Sequence, residues 1–483
     1  MSSDGLIAVG VDLGTGGARA LALDLDGRVV ATGRAELPAG AVRAEGVRCE
    51  QEPRTWTDAV NGALRELTSK LPASARVGGV SVDATSGTFV LVDEANRPVT
   101  PGIMYNDLRA AEDGPRCAEA LRDVLGPYGI EVAAAFALPK IAHLARTEPR
   151  AWARCRRIVH QTDWVVGLLS GRYDMTDVST ALKTGVDPGR LVWPGAIETQ
   201  LGVPLDRLPA VVLPGTTIGA VTREAAESTG LPAGTPVVSG CTDGTAGCLA
   251  SGASRHGDLN VTLGTTLVFK AVADKPIVDP AGVVYNHRHP AGGYLPGAAS
   301  NTGAAWTKAR FAGADLDRLG EQASALIPTG RLVYPLTQTG ERFPFTHPQA
   351  TAFGWDSAAP PAEMFAAGME GVAMLERLGI ERLDALGLSV NHTVYATGGS
   401  VASDTLLRIR SAVNRRVYAT PELPECAVGA AILAAAAHLG GCGAAIQRMV
   451  RIARRCEPDE RLAAAYNEVY GRFCAVLHER GYL

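Results

Sequence analysis

No stretch of this 483-residue chain holds the roughly 20 consecutive apolar residues that a membrane-crossing helix needs. The longest apolar run, Cys426–Ala437, falls short of that length and reads as a buried helix. A charge excess of one sign is lacking too. The 46 Lys and Arg stand against 50 Asp and Glu, a formal net charge of −4, so nothing points to nucleic acid or an anionic membrane as partner. The short arginine clusters Arg154–Arg157 and Arg451–Arg455 read as solvated helix faces. Nine cysteines are scattered with no C-x-x-C pair, which excludes a disulfide framework or zinc site and implies the reduced thiols of a cytoplasmic protein. Met1–Gly5 is too short and polar for a secretory signal ahead of the first strand. Two nucleotide signatures are also missing. No GxxxxGK[ST] occurs, and Gly14–Arg19 fails GxGxxG at its last position, so the P-loop and dinucleotide folds lose support.

What the chain does have is one short phrase written twice. Val11-Asp12-Leu13-Gly14-Thr15-Gly16-Gly17 near the start is echoed by Val261-Thr262-Leu263-Gly264-Thr265-Thr266-Leu267. Each copy lies between apolar, strand-like runs and predicts a β-hairpin with a Gly/Thr turn. Such turns expose backbone N–H groups and hydroxyls with little bulk, which suits a polyphosphate. Two of them would clasp one nucleotide from both sides.

The length suggests about two to four domains. The N-terminal strands are expected at Leu6–Leu13, Arg19–Leu25 and Arg28–Thr32, with Asp26-Gly27 as a hairpin turn. An amphipathic helix follows over Pro53–Leu71, then strands at Val77–Asp83 and Thr88–Val92. Gly195–Gly230 reads as a connecting region and Asp274–Ser300 as irregular. In the second half, strand Val394–Ala396 meets Thr397-Gly398-Gly399-Ser400 and a helix from about Ser403 to Asn414. Strands alternating with helices imply an α/β sheet in each half. A lobe boundary near Ala250–Gly257 gives an N-terminal lobe at 1–250 and a C-terminal lobe at 251–483.

Two carboxylates end strands directly before Gly/Thr turns. Asp12 could hold Mg²⁺ through water beside phosphates, or merely cap its turn. Asp243, in Cys241-Thr242-Asp243-Gly244-Thr245, could accept the proton of an attacking hydroxyl in phosphoryl transfer, or cap a helix. His287 and His289 flank Arg288 with no third ligand at metal spacing, which favours structural hydrogen bonds over a metal site.

Strand-Asp-Leu-Gly-Thr, Cys-Thr-Asp-Gly, the second Leu-Gly-Thr-Thr, Thr-Gly-Gly-Ser and the Ala-rich Val428-Gly429-Ala430-Ala431 helix occur in that order over residues 6 to 440. Their order and spacing resemble the FGGY carbohydrate kinases of the actin-like ATPase superfamily. Asp83-Ala84-Thr85-Ser86-Gly87-Thr88, Met104-Tyr105-Asn106-Asp107, His287-Arg288-His289-Pro290 and Glu341-Arg342-Phe343-Pro344-Phe345 are most similar to the plant and cyanobacterial D-ribulose kinase branch. The resemblance implies two actin-like (RNase H-like) α/β lobes with a nucleotide cleft between them, and ATP-dependent phosphorylation of a ketopentose, D-ribulose first and D-xylulose next. It implies ATP and Mg²⁺ as cofactors and a small-molecule sugar as partner, with a homodimer left open. It makes Asp243 the base and, with Asp12, a metal-associated carboxylate. Gly14, Thr15 and Gly16 form the first phosphate turn and Gly264, Thr265 and Thr266 the second. Gly398, Gly399 and Ser400 contact adenosine, and Ser86, Asp107 and Arg109 line the sugar pocket together with Asp243. The chain departs from typical xylulokinases, which carry Met-His-Gly where Thr85-Ser86-Gly87 stands, Trp where Tyr105 stands, and Lys-x-x-Trp where Lys140-Ile141-Ala142-His143 stands. A rival from another class is an actin-fold module that binds ATP only as a conformational switch.

Overall fold

The computed structural model describes residues 5–483, the side chain of Ser400 excepted. The chain forms two compact units. One comprises residues up to Ser254 with His287–Gly293 and Glu425–Arg451; the other comprises Arg255–Asn286, Tyr294–Pro424 and Ile452–Leu483. The segment 425–451, which follows the second hairpin by more than a hundred residues, therefore packs with the first unit.

In the first unit, strand Leu6–Leu13 lies centrally in a sheet. It pairs antiparallel with Gly17–Asp24, which pairs antiparallel with Val29–Glu36, and parallel with Arg76–Ala84. Pro236–Val238 and Cys241–Thr242 continue parallel beside Arg76–Ala84. One face of this sheet is covered by helix Pro53–Ser69, which starts with Pro at its first turn and buries Trp56, Val60, Leu64 and Leu67 at helical spacing. Each such side chain contributes about 1.5–3 kcal/mol of transfer free energy.

The apolar helix Cys426–Ala435 explains its own composition by where it lies. A Cβ on Gly10 of the central strand would stand 1.9 Å from the Ala427 carbonyl oxygen, and one on Gly429 would stand 2.1 Å from that of Ala246. The helix thus touches backbone on two sides, and only small residues permit it. It wedges between the central strand and helix Asp243–Ser251, so it is apolar all round. No single helix among the described residues is long and apolar enough to cross a membrane, and the apolar pair Cys426–His438 and Cys442–Met449 is bent by 119°.

A five-stranded sheet (Val42–Glu45, Arg48–Gln51, Gly102–Ile103, Phe89–Val92, Arg157–His160) completes the first unit. It packs on a second core that includes Phe89, Leu121, Leu138 and Ile158.

The second unit repeats the plan of the first. Leu259–Leu263 and Leu267–Ala271 form the hairpin, Tyr294–Ser300 extends it antiparallel, and Thr393–Thr397 and Val417–Pro421 continue parallel on the other side. Helix Pro361–Ala385 and the C-terminal helix Glu460–Glu479 bury their apolar faces in its core.

Three expectations change. The stretch 274–300 holds strands Tyr285–Arg288 and Tyr294–Ser300, the first polar and short and the second interrupted by Pro296-Gly297. Within 195–230 lie strand Thr217–Ala220 and helix Arg223–Thr229, capped by the Thr222 side chain. Arg451–Arg455 belongs to no helix face, because Ile452–Cys456 is an edge strand with alternating burial. Charged side chains are tolerated at such an edge.

Candidate active site

The first turn is built by its hairpin. Asp12 pairs with Arg19 and Leu13 with Ala18, and the Gly14 amide closes the turn on the Gly17 carbonyl at 3.0 Å. Gln51 Nε2 donates to the Thr15 carbonyl (3.1 Å) and the Leu37 amide to the Gly16 carbonyl (2.9 Å). The turn is held from behind while Thr15 and Gly16 stay exposed, and a Cβ on Gly16 would meet nothing within 4 Å. Open backbone of this kind fits a phosphate group.

Parallel register brings three carboxylates to one sheet edge. Asp12 pairs with Asp83 and Asp83 with Cys241, so Asp243 follows two residues beyond the same row. Carboxyl ends of adjacent strands are where open α/β sheets place their chemistry. Asp243 is the first residue of helix Asp243–Ser251; Thr242 holds the cap position and forms no side-chain capping bond. Asp243 is exposed, and its Oδ1 accepts from the Gly244 amide at 2.6 Å.

Asp12 is half-buried. Burial raises its pKa, Arg19 opposes this, and the Asp243 charge adds to it. Asp83 is wholly buried, and burial together with the Asp12 and Asp243 charges drives its pKa well above the ordinary carboxyl value. Neither Asp83 oxygen meets an N–H or O–H donor. A bond between Asp83 and Asp12 needs one proton shared by the pair, and the deeper burial of Asp83 favours its residing there. Asp83 carried no role in the sequence reading. Its signal was an acid at a strand end in register with Asp12, and that is visible only once the pairing is known. The half-exposed Asp12 and the exposed Asp243 fit a water-bridged Mg²⁺ better than a closed ligand cage does. Among the described residues no group of three or more His, Cys, Asp or Glu could hold a metal.

In the second hairpin the positions matching Asp12 and Asp83 are Thr262 and Thr397, paired in register with hydroxyls 2.7 Å apart. The second turn is closed by the Gly264 amide on the Thr266 carbonyl at 3.0 Å. Segment 302–304 grips it: the Leu267 amide donates to the Thr302 carbonyl (2.9 Å) and the Ala304 amide to the Gly264 carbonyl (2.8 Å). That segment hangs on Glu341, a buried residue to which the sequence assigned no role. Its Oε1 accepts from the Asn301 and Arg342 amides, and its Oε2 from Ser300, Thr302 and Tyr334 hydroxyls, all within 2.6–3.0 Å.

Gly398 lies against this hairpin with φ of 93°, where a Cβ would come 2.4 Å from the Leu263 carbonyl oxygen. Beside Gly264 and Gly399 opens a cavity of about 650 Å³, walled by Trp306, Phe365, Ser403 and Thr405. Open glycines beside an aromatic wall fit a nucleoside. The Ser400 side chain lies outside the described residues.

Of the expected sugar contacts, Ser86 presents a buried Oγ with no hydrogen-bond partner, which fits a sugar hydroxyl. Asp107 and Arg109 are engaged with the protein itself. Asp107 accepts from the Cys49 amide (2.6 Å) and from the Arg109 backbone and guanidinium, and Arg109 also reaches Glu50 (2.5 Å). Burial pushes the Asp107 pKa up, but Arg109 and these amides outweigh it and hold the carboxyl below its usual range. The pair locks segment 104–109.

Lys140 is wholly buried and donates to the Met104 (2.8 Å), Tyr105 (3.2 Å) and Ala135 (3.2 Å) carbonyls, tying the same segment to its neighbours. His289 is buried, which lowers its pKa to about 4, and its Nδ1 accepts from the Ala291 amide at 2.9 Å.

Residues 7–250 match the N-terminal domain of the FGGY family of carbohydrate kinases, and residues 259–438 match its C-terminal domain. A xylulose kinase of Bacillus subtilis is 27% identical over 440 residues, covering 88% of this chain and 87% of that protein. A xylulose kinase of Streptomyces rubiginosus is 33% identical over 304 residues, 61% of this chain and 60% of that protein. The crystal structure of xylulose kinase from Rhodospirillum rubrum superposes with a TM-score of 0.85 at 25% identity, covering 98% of each chain.

Proposed function

The chain belongs to the FGGY family of carbohydrate kinases and is an ATP-dependent sugar phosphotransferase, and from that premise we propose a ketopentose kinase whose preferred substrate is D-ribulose, converted to D-ribulose 5-phosphate. The observation that carries the chemistry is the exposed Asp243 carboxylate, two residues beyond the row in which Asp12 and Asp83 pair. Asp243 accepts the proton of a terminal sugar hydroxyl. That oxygen forms its bond to the γ-phosphorus as the bond to the ADP oxygen breaks in line. The proton leaves late, so a carboxylate of ordinary basicity suffices. Backbone amides of the turns at Gly14–Gly16 and Gly264–Thr266 hold the phosphates, and the cavity beside Gly399 takes the nucleoside. Asp12 and Asp243 would hold the magnesium that accompanies the nucleotide, which would supply charge neutralisation at the phosphate oxygens.

D-ribulose is preferred because Thr85-Ser86 replaces the Met-His of typical xylulokinases, and the unpartnered Ser86 Oγ supports a polar contact at that point. A second reading, D-xylulose, is favoured by the names of the similar kinases. The test is kcat/KM over D-ribulose, D-xylulose, L-ribulose, sedoheptulose and glycerol, with Asp243→Asn beside the parent. We expect D-ribulose to rank first, and the variant to lose about 10²–10⁴-fold in kcat while still binding ATP. Negligible turnover of every sugar by the parent would favour the ATP switch instead.

A further inference from the structure

Strand Arg76–Ala84 runs out into Thr85-Ser86-Gly87-Thr88, and this loop is clasped by Gln161, the first residue of helix Gln161–Ser170. Gln161 is wholly buried. Its Oε1 accepts from the Thr85 amide (3.3 Å) and the Thr85 hydroxyl (2.6 Å). The direction of the chain behind this contact is determined. The Tyr105 amide donates to Thr88 Oγ1 at 3.1 Å, and Thr88 and Thr85 hydroxyls lie 2.7 Å apart. Thr85 spends its proton on Gln161, so Thr88 must be the donor to Thr85. Turning the Gln161 amide over would set N–H against N–H. The orientation is therefore fixed by its neighbours, and Nε2 faces away with two donors and no acceptor among the described residues.

Another buried polar atom lies in the loop that Gln161 clasps: Ser86 Oγ, in the residue after Thr85, has no partner. Buried groups left unpaired in this way carry a free-energy cost that a matching ligand removes. An unpaired amide donor bound to this loop and an unpaired hydroxyl within it complement a ligand whose every oxygen both donates and accepts, which is the chemistry of a polyhydroxylated ketose.

We propose that Gln161 contacts the sugar and sets specificity, its Nε2 donating to a hydroxyl or carbonyl oxygen of the ketose next to the Ser86 contact. The inference rests on the ketose-kinase reading above. Gln161→Glu keeps Oε1 for Thr85 and replaces the amide donors with an oxygen; Gln161→Met, as a second variant, removes them without adding charge. In the full-length protein, kcat/KM for the best ketose should fall by about tenfold or more. The fall should be carried by the sugar KM, with the ATP KM within about twofold of the parent. A deoxyketose lacking the contacted oxygen should be used equally well by parent and variants.

Sugar kcat/KM within about twofold of the parent in both variants would overturn the proposal. So would loss of soluble protein, or of ATP affinity, in both, since Gln161 would then serve the fold alone. A parent inactive on every ketose removes the ketose reading itself and this inference with it, an outcome distinct from an active parent with indifferent variants.

Discussion

Glu341 should govern ATP affinity without touching the nucleotide. Its carboxylate collects five donors, two of them backbone amides at Asn301 and Arg342 and three of them hydroxyls at Ser300, Thr302 and Tyr334. In Glu341→Ala the hydroxyls can rotate toward one another, but the two amides cannot find another acceptor. Each part-buried amide left unpaired costs about 1 kcal/mol, the low end of the usual range. The sum of about 2 kcal/mol weakens the hold on segment 302–304, whose Thr302 and Ala304 bonds grip the second turn. If all of it reaches the turn, the ATP KM rises by about 30-fold. Glu341→Gln keeps Oε1 for both amides and presents an amide donor to hydroxyls that can turn to accept it. Its cost should stay near 1 kcal/mol, about fivefold. The assay is a steady-state titration of ATP at saturating sugar, with the sugar KM measured in parallel. A Glu341→Ala enzyme that folds, keeps its thermal midpoint and binds ATP within about twofold of the parent would refute this account.

Burial lowers the Lys140 pKa to about 7 from 10.5, so between those values the unfolded chain holds a proton that the folded chain has lost. Stability should therefore rise as pH climbs from about 7 toward 10.5; Lys140→Met should flatten that rise in thermal midpoints taken over pH 7 to 9.5, and parallel slopes would refute it. Gly429→Ala drives a Cβ to 2.1 Å from the Ala246 carbonyl oxygen, a backbone atom that cannot yield, whereas a Cβ on Gly247 meets only Cys426 Sγ at 3.7 Å. Gly429→Ala should lower stability by about 1–3 kcal/mol or more and reduce kcat, because it pushes on the helix that carries Asp243. Gly247→Ala should be neutral or stabilising in the same melting and rate measurements, since alanine favours the helix.

Much of this site was readable because it depends on neighbours in sequence. Gly and Thr between alternating apolar runs specify the two tight turns, and an acid directly before such a turn draws notice; Asp12 and Asp243 stood out on those grounds as candidates, with capping an equal reading for Asp243 until the family resemblance is added. The apolar stretch 426–437 announced a buried helix by the same local logic. It did not announce what the helix lies against. That depends on Gly10 and Gly429 meeting backbone far away in the chain, and so did its membership of the first unit.

Asp83, Gln161 and Glu341 escaped for a related reason. A lone acid or amide in a strand or loop has no period and no spacing to betray it. Each gains its meaning from partners 30 or more residues distant, through strand register or a hydrogen-bond chain. The repeated hairpin shows the division most plainly. The sequence determined that the phrase occurs twice and that only the first copy carries an acid at its strand end. The tertiary structure decided what faces that position across the adjacent parallel strand: a second carboxyl, Asp83, beside Asp12, and a hydroxyl, Thr397, beside Thr262. Burying two acids together shifts their proton affinities, while two hydroxyls simply bond to each other. The same backbone plan thus carries a pair of acids in one unit and a pair of bonded hydroxyls in the other.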